Sequence, residues 1–283
     1  MKTPLLKDQA FMEVVQSGAS VSGQLKIWWL GQSGFLIQWK EQHLLLDPYL
    51  SDSLTRKYAT TDKPHIRMTE RVVSPDQLDF VKIVTSSHNH TDHLDAETLV
   101  PLFKVNQDIR FIIPEANREF ILDRCRNSGP DPDGLDSGTH ITIDGFRITG
   151  IPAAHEVLER DDQGRCRYLG YVIQFDEWTL YHSGDTVVFE GLAEILSKYS
   201  IDVAMLPING SAPERRVAGN MNGEEAVELA VASGIKMVIP CHFDMFEFNT
   251  VTPDDFISCA RKKDQRIAVL QNGETWIGSQ SDI

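Results

Sequence analysis

The run Ser87-His88-Asn89-His90-Thr91-Asp92-His93-Leu94-Asp95 constrains this chain more than any other stretch. It follows Phe80-Val81-Lys82-Ile83-Val84-Thr85-Ser86-Ser87, whose apolar, β-branched character predicts a strand. Three imidazoles and a carboxylate therefore crowd the end of a buried strand, in the order H-x-H-x-D-H. Apolar packing gives no reason for such a cluster. Imidazole nitrogen and carboxylate oxygen are, however, the donors that borderline divalent cations such as Zn²⁺ favour. A fold that accepts this run must open a polar, ligand-rich edge on a sheet that is otherwise apolar. One cation is saturated by about three or four such side chains, so the cluster points to a pair of cations and a hydrolytic site.

The rest of the chain reads as an alternation of strands and helices. An amphipathic helix is expected over about residues 8–17, with Ala10, Phe11, Val14 and Val15 on one side. Strands are expected at 25–30, 34–39 and 43–47, then at 80–87, 110–114, 140–143 and 146–151. Further strands fall at about 168–175, 178–182, 202–206, 236–240 and 267–270. Asp95 is placed to open a helix through Leu99 and Leu102. Other helices are expected at about 115–126, 188–198, 223–233 and 253–263. Asn222 with Glu225 three residues on has the pattern of a capping box. The turn-rich segment Asn127-Ser128-Gly129-Pro130-Asp131-Pro132-Asp133-Gly134 reads as a loop within one unit, because strands resume directly after it. Residues 1–283 are therefore read as a single α/β domain, a sandwich of two mixed sheets with helices on the outer faces.

Three further candidate ligands stand just after predicted strands. These are His155 in Ile151-Pro152-Ala153-Ala154-His155, Asp185 in His182-Ser183-Gly184-Asp185, and His242 in Ile239-Pro240-Cys241-His242. Strand ends are where a rigid scaffold delivers side chains to a common cavity. Counting gives five histidines and two aspartates, enough for two cations with one shared ligand. The expected assignment is His88, His90 and His155 on one cation, Asp92, His93 and His242 on the other, and Asp185 bridging. Each cation then keeps an open position, and a hydroxide held between the two is the expected nucleophile. Asp92 carries a catalytic proton-transfer role as well as a ligand role. Zn²⁺ is the first choice for both positions, and Mn²⁺ and Fe²⁺ accept the same donors.

Charge and cysteine usage narrow the partners. A formal net charge of −14 repels a phosphodiester backbone, so nucleic acid is not an expected partner. Cys125, Cys166, Cys241 and Cys259 are far apart and form no C-x-x-C pair, which reads as a reduced chain. No window approaches the ~18 apolar residues of a membrane span, and the N-terminal residues lack a long apolar core. A cytoplasmic protein acting on a small molecule, with homo-oligomerisation open, is the expectation.

The histidine run, the later His155, the Ser183-Gly184-Asp185-Thr186 segment and the final His242 together resemble the metallo-β-lactamase superfamily across about residues 25–245. That resemblance implies a four-layer αββα sandwich with two metals at one edge between the sheets, and the same ligand roles. Within it, Trp28-Trp29-Leu30-Gly31, Tyr181-His182-Ser183-Gly184-Asp185 and Val238-Ile239-Pro240 are similar to the ascorbate-6-phosphate lactonase-like branch. The run from Ser87 to Asp95 also resembles the N-acyl-phosphatidylethanolamine phospholipase D group. The implied activity is hydrolysis of a lactone or ester of a small acidic or phosphorylated molecule. A phosphodiesterase and a non-catalytic, metal-stabilised binding protein are the alternatives.

Around these ligands, Asp47 is expected to support a histidine or a loop backbone from behind the metals. Asp95 is expected to cap a helix, and alternation along its strand turns His182 away from Asp185. Asn209, Arg215 and Arg216 are the expected substrate contacts, since arginine pairs bidentately with phosphate or carboxylate. The irregular stretch from Tyr58 to Met68 has the character of a lid. Phe243, Phe246 and Phe248 either line a pocket or pack. The Trp28-Trp29 pair belongs to the core or to an interface.

Overall fold

The protein, seen in a computed structural model, is described for residues 1–17 and 24–283. Its strands are β1 (Leu25–Gly31), β2 (Gly34–Trp39), β3 (Gln42–Leu46), β4 (Ile83–Thr85), β5 (Arg110–Pro114), β6 (Asp133–Leu135), β7 (His140–Ile143), β8 (Phe146–Pro152), β9 (Leu169–Phe175), β10 (Trp178–His182), β11 (Val203–Pro207), β12 (Met237–Cys241), β13 (Arg266–Ile267) and β14 (Thr275–Gly278). Its α-helices are α1 (Asp8–Ser17), α2 (Ser53–Lys57), α3 (Ala96–Val105), α4 (Arg118–Arg124), α5 (Leu192–Leu196), α6 (Gly223–Ser233) and α7 (Asp254–Lys263). Two seven-stranded sheets result, one in the order β14-β1-β2-β3-β4-β5-β6 and the other β13-β12-β11-β10-β9-β8-β7. Both are mixed. In the first, β14, β1, β2 and β3 pair antiparallel and β3 to β6 pair parallel. In the second, β7 to β10 pair antiparallel and β10 to β13 pair parallel.

Side-chain alternation builds four layers from these sheets. Leu25, Ile27, Trp29, Phe35 and Ile37 face the second sheet and join one core with Ile148, Ile173, Leu180 and Val203. Trp28, Leu30, Leu36, Leu45 and Val84 point the other way, into a core with Phe11 of α1, Leu99 of α3 and Ile121 of α4. The adjacent tryptophans show the split: Trp28 meets Phe11 edge-on at 6.3 Å, and Trp29 lies 4.5 Å from Phe243. Both indoles are core residues. On the far side, Leu192 of α5, Ala226 and Val227 of α6 and Phe256 of α7 close over the second sheet. The expected four-layer αββα sandwich, with helices on the outer faces, is the observed architecture.

Several local boundaries differ from the sequence reading, each for a physical reason. The strand before the histidine run is only Ile83–Thr85, because its neighbours β3 and β5 engage no more than these residues. The turn-rich segment ends in β6, an edge strand beside β5, where Pro, Gly and Asp are tolerated because one side needs no partner. Arg110 fastens it to Asp133 at 2.6 and 2.8 Å. Strand β14 and helix α2 have no counterpart in the expectation, being four and five residues long and too short for a periodicity to show. Helix α5 is shorter than the expected 188–198, and β13 starts one residue before the expected 267–270 and ends at its first residue. The capping box at α6 is present, with Glu225 N donating to Asn222 Oδ1 at 2.9 Å and Asn222 N donating to Glu225 at 2.8 Å. Among the described residues, no helix is long and apolar enough to cross a membrane. The four cysteines are buried thiols.

Candidate metal centre

Four strand ends and one turn converge at a single edge between the sheets. Strand β4 delivers His88, His90, Asp92 and His93; β8 leads to His155, β10 to Asp185 and β12 to His242. The turn between β1 and β2 adds Gln32. The chain bends sharply to make these deliveries. Gln32, Asp47 and His242 adopt left-handed backbone at φ 53°, 39° and 63°, a conformation that costs a residue with a Cβ and persists where surrounding structure imposes it. Gly184 has φ 58°, and a Cβ there would come within 2.6 Å of Ser87. Only glycine lets the Asp185 turn press against the histidine run.

The seven side chains singled out in the sequence come together as two quartets that share Asp185. His88, His90, His155 and Asp185 form one, and Asp92, His93, Asp185 and His242 the other, with the ligand atoms of each quartet within 4.8 Å of one another. Asp185 stands at the centre: its carboxylate is 3.2 Å from His93 Nε2, 3.3 Å from His242 Nε2 and 3.8 Å from His155 Nε2. Asp92 Oδ2 lies 3.6 Å from His242 Nε2 and 3.7 Å from His93 Nε2. His90 is the exposed member of the set, and His88 and His93 are fully enclosed.

The residues behind the quartets orient them. The Asp47 carboxylate, at 0 % exposure, accepts from Ser87 N at 3.0 Å and Thr85 Oγ1 at 3.1 Å, and meets His93 Nδ1 at 2.7 Å. It also bonds Ser87 Oγ. One buried anion thus sets both the loop backbone and a histidine ring. His155 Nδ1 faces Gly219 O at 2.9 Å and His88 Nδ1 faces Ser87 Oγ at 3.0 Å. With each Nδ1 engaged, Nε2 is the nitrogen turned toward the centre.

The donor set fits divalent cations. His88 Nε2, His93 Nε2 and Asp185 Oδ1 are buried without a hydrogen-bond partner, a cost that native proteins avoid unless another group satisfies the atom. The electrostatics point the same way. Burial works against charge on both carboxylates, yet His93 and His242 hold Asp92 and Asp185 well below the usual carboxylate range. In return, against its own burial, the His242 ring is raised to about 9 by Asp185 and Asp92. His93 is raised as well, by the charges of Asp185 and Asp92 and by its hydrogen bond to Asp47. His88 and His90 move down, first through burial and then through neighbouring imidazoles. This carboxylate field, which retains protons on two imidazoles, is the field a cation would meet.

A cavity of about 300 Å³ opens over the centre. His90, Asp92, His155, Asp185 and His242 form its floor. Lys57 and Arg124 bring positive charge to its wall, and Tyr58, His65, Phe246 and Phe248 supply an aromatic side. Tyr58 stacks on His65 at 4.2 Å and 18°, and Phe248 lies 4.4 Å from the same imidazole. Part of the stretch expected as a lid is therefore a wall of this cavity. Phe243 packs on Trp29 instead.

Asn209, Arg215 and Arg216, the expected substrate contacts, are not among the residues lining this cavity. Asn209 Nδ2 donates to Asn249 at 3.0 Å, and its Oδ1 accepts from Asn220 at 3.1 Å. Arg215 donates to Asn209 O at 2.5 Å and to Asn249 at 3.3 Å, so its guanidinium ties two loops together. Arg216 pairs with Asp62 at 2.9 Å on the surface. Their neighbours Val217, Ala218 and Asn220 face the cavity in their stead. Arginine in an irregular segment carries no sign of whether its donors will be consumed by nearby carbonyls. His182 turns away from the centre, 2.9 Å from Ser33 O, and Asp95 caps α3, accepting from Glu97 N at 3.4 Å. The sequence reading passed over Gln32, Arg124 and Tyr168. The signal for Gln32 lay in its place, a polar residue in a two-residue turn between two fully buried strands. Tyr168 lies 5.0 Å from His88 and 5.7 Å from His155.

Known proteins share this fold. The profile of the beta-lactamase superfamily domain matches residues 26–242. A UPF0173 metal-dependent hydrolase from Methanosarcina barkeri is 26 % identical over 256 residues, covering 89 % of this chain and 97 % of its own. Igni18, a metallo hydrolase from Ignicoccus hospitalis, superposes with a TM-score of 0.66 at 22 % identity, over 90 % of this chain and 99 % of its own. The metallo-beta-lactamase fold protein YhfI from Bacillus subtilis does so at 0.65 and 18 %, over 90 % and 100 %. The chain belongs to the metallo-β-lactamase superfamily.

Proposed function

We propose that this chain is a metal-dependent hydrolase with a dinuclear centre, acting on a lactone or ester of a small acidic or phosphorylated molecule. The observation that carries the reading is the pair of quartets sharing Asp185 on the floor of an open cavity. His88, His90 and His155 hold one cation, Asp92, His93 and His242 the other, and Asp185 serves both. The relative from Methanosarcina barkeri, named as a metal-dependent hydrolase, supports the class. Bound divalent cations lower the pKa of water and polarise the oxygen of an ester.

The remaining chemistry belongs to the chain's own side chains. Asp92, ionised by its two histidine neighbours and 16 % exposed at the cavity floor, is placed to take up a proton and return it to a leaving group. Lys57 and Arg124 supply the positive charge that a carboxylate or phosphate substituent seeks. The stacked Tyr58, His65 and Phe248 give the body of the substrate an apolar face. A volume of about 300 Å³ suits a small molecule.

The test is a panel of lactones, carboxylic esters and bis-p-nitrophenyl phosphate, given to metal-loaded and metal-stripped protein. Ester or lactone hydrolysis by the loaded form alone is expected, with His90→Ala and Asp185→Asn losing metal and turnover together. Full turnover by the stripped protein contradicts the reading. Preference for the phosphodiester replaces the ester with a phosphodiesterase.

A further inference from the structure

The Gln32 amide touches the second quartet more closely than the histidine nitrogens of that quartet approach its carboxylates. Its Nε2 lies 2.8 Å from Asp92 Oδ2 and 3.0 Å from His242 Nε2. Its Oε1 is buried without a hydrogen-bond partner, and the residue as a whole is 1 % exposed. Its backbone is fixed from both sides, because Gln32 O accepts from Trp29 Nε1 at 2.9 Å and from His242 N at 3.0 Å. The side chain therefore leaves a point tied directly to His242. Nothing in the core packing calls for an amide here, in a turn between the wholly buried strands β1 and β2.

We propose that Gln32 is a further ligand of the cation held by Asp92, His93, Asp185 and His242, binding through Oε1. The assignment rests on the dinuclear reading above. Oxygen ligands about 2.1 Å from one ion and at right angles lie about 3.0 Å apart. The separations of the amide head from Asp92 and His242 are of that size. Facing a bare carboxylate, the amide presents its N–H end. Rotation about the terminal side-chain torsion, which is broad and nearly two-fold, exchanges Nε2 and Oε1 with little change of shape. Toward a divalent charge the carbonyl end is the stable one.

The consequence is chemical asymmetry between the two positions. The first offers three imidazole nitrogens and one carboxylate, from His88, His90, His155 and Asp185. The second, with Gln32, offers three oxygen donors and two nitrogens. A harder, more oxygen-rich and higher-coordinate site shifts preference toward Mn²⁺ relative to Zn²⁺. Gln32 is in this account a determinant of which metal the second position takes.

The test is titration of metal-stripped, full-length wild type, Gln32→Leu and Gln32→Glu with Co²⁺, reading chelator competition and the visible spectrum, with circular dichroism to verify folding. Wild type should take two equivalents. In Gln32→Leu the second should weaken by about tenfold or more, with the first unchanged. The second ion should also absorb more strongly, as expected when coordination number falls. Gln32→Glu, which keeps an oxygen, should hold the second ion at least as tightly as wild type and decides the matter if the leucine variant does not fold. Unchanged or tighter second-ion binding in Gln32→Leu overturns the assignment alone, as does equal weakening of both ions or a weaker second ion in Gln32→Glu. Uptake of a single equivalent by wild type overturns the dinuclear reading and this assignment with it.

Discussion

At the scale of single residues, the centre depends on groups that never face the cavity. Asp47 serves Thr85, Ser87 and His93 at once. Asp47→Asn leaves one oxygen to do this and turns an N–H end toward donors, so cation affinity should fall about 10- to 100-fold. Chelator competition measures it, and unchanged affinity would show that the histidine run holds its shape without this anion. Lys57 acts on the other side, at the cavity wall. Lys57→Ala should raise KM for an anionic ester about fivefold while leaving kcat and the hydrolysis of a neutral ester unchanged. Equal effects on both esters would remove Lys57 from charge recognition. These two residues also mark how far the sequence could be read. The seven members of the quartets were legible because histidine and aspartate at strand ends have few other uses. Asp47 could be placed because it ended a strand beside them. Gln32 was not, because a glutamine in a turn is chemically ordinary until the chain brings His242 to it from 210 positions away.

At the scale of elements, the sheet interiors could be read and the edges could not. Strands β1 and β2 are buried throughout, and a run of largely apolar residues is a strong signal. Strands β6 and β14 are only three and four residues long and partly exposed, so they have identity only through the strand each pairs with. The helix caps followed local chemistry and were legible. Asn222→Ala removes the side-chain acceptor from α6 and should cost about 1 kcal/mol of stability. Denaturant unfolding would show it, with cation binding unaffected because α6 lies outside the centre. A loss of cation binding in that variant would mean that α6 and the centre are coupled. The side chains of Asn209, Arg215 and Arg216 lie off the cavity for a related reason. They are engaged with Asn249 and Asp62, partners that lie far off in sequence.

At the scale of the whole molecule, the outer face of the first sheet buries a titratable group remote from the centre, and it bears on how stability responds to acid. His43 is 8 % exposed, packs against Phe80 at 4.5 Å and has both ring nitrogens unpartnered. Burial, aided by the nearby charge of Lys26, lowers its pKa to about 4. The folded chain therefore binds this proton less readily than the unfolded chain, whose imidazole titrates near 6.5. The contribution is complete above about pH 6.5 and is lost as pH falls through about 4, worth about 3 kcal/mol in all. His43→Leu should flatten the acid side of the stability curve between these limits, and an unaltered curve would show that the ring is reached by water. The larger claim concerns the edge where β4, β8, β10 and β12 end together. It is tested most directly by anomalous diffraction from crystals of metal-loaded protein, recorded at the absorption edge of the bound metal. The account predicts two peaks, one among His88, His90 and His155, the other among Asp92, His93 and His242, with the Asp185 carboxylate between them. A single peak, or peaks away from Asp185, would contradict it.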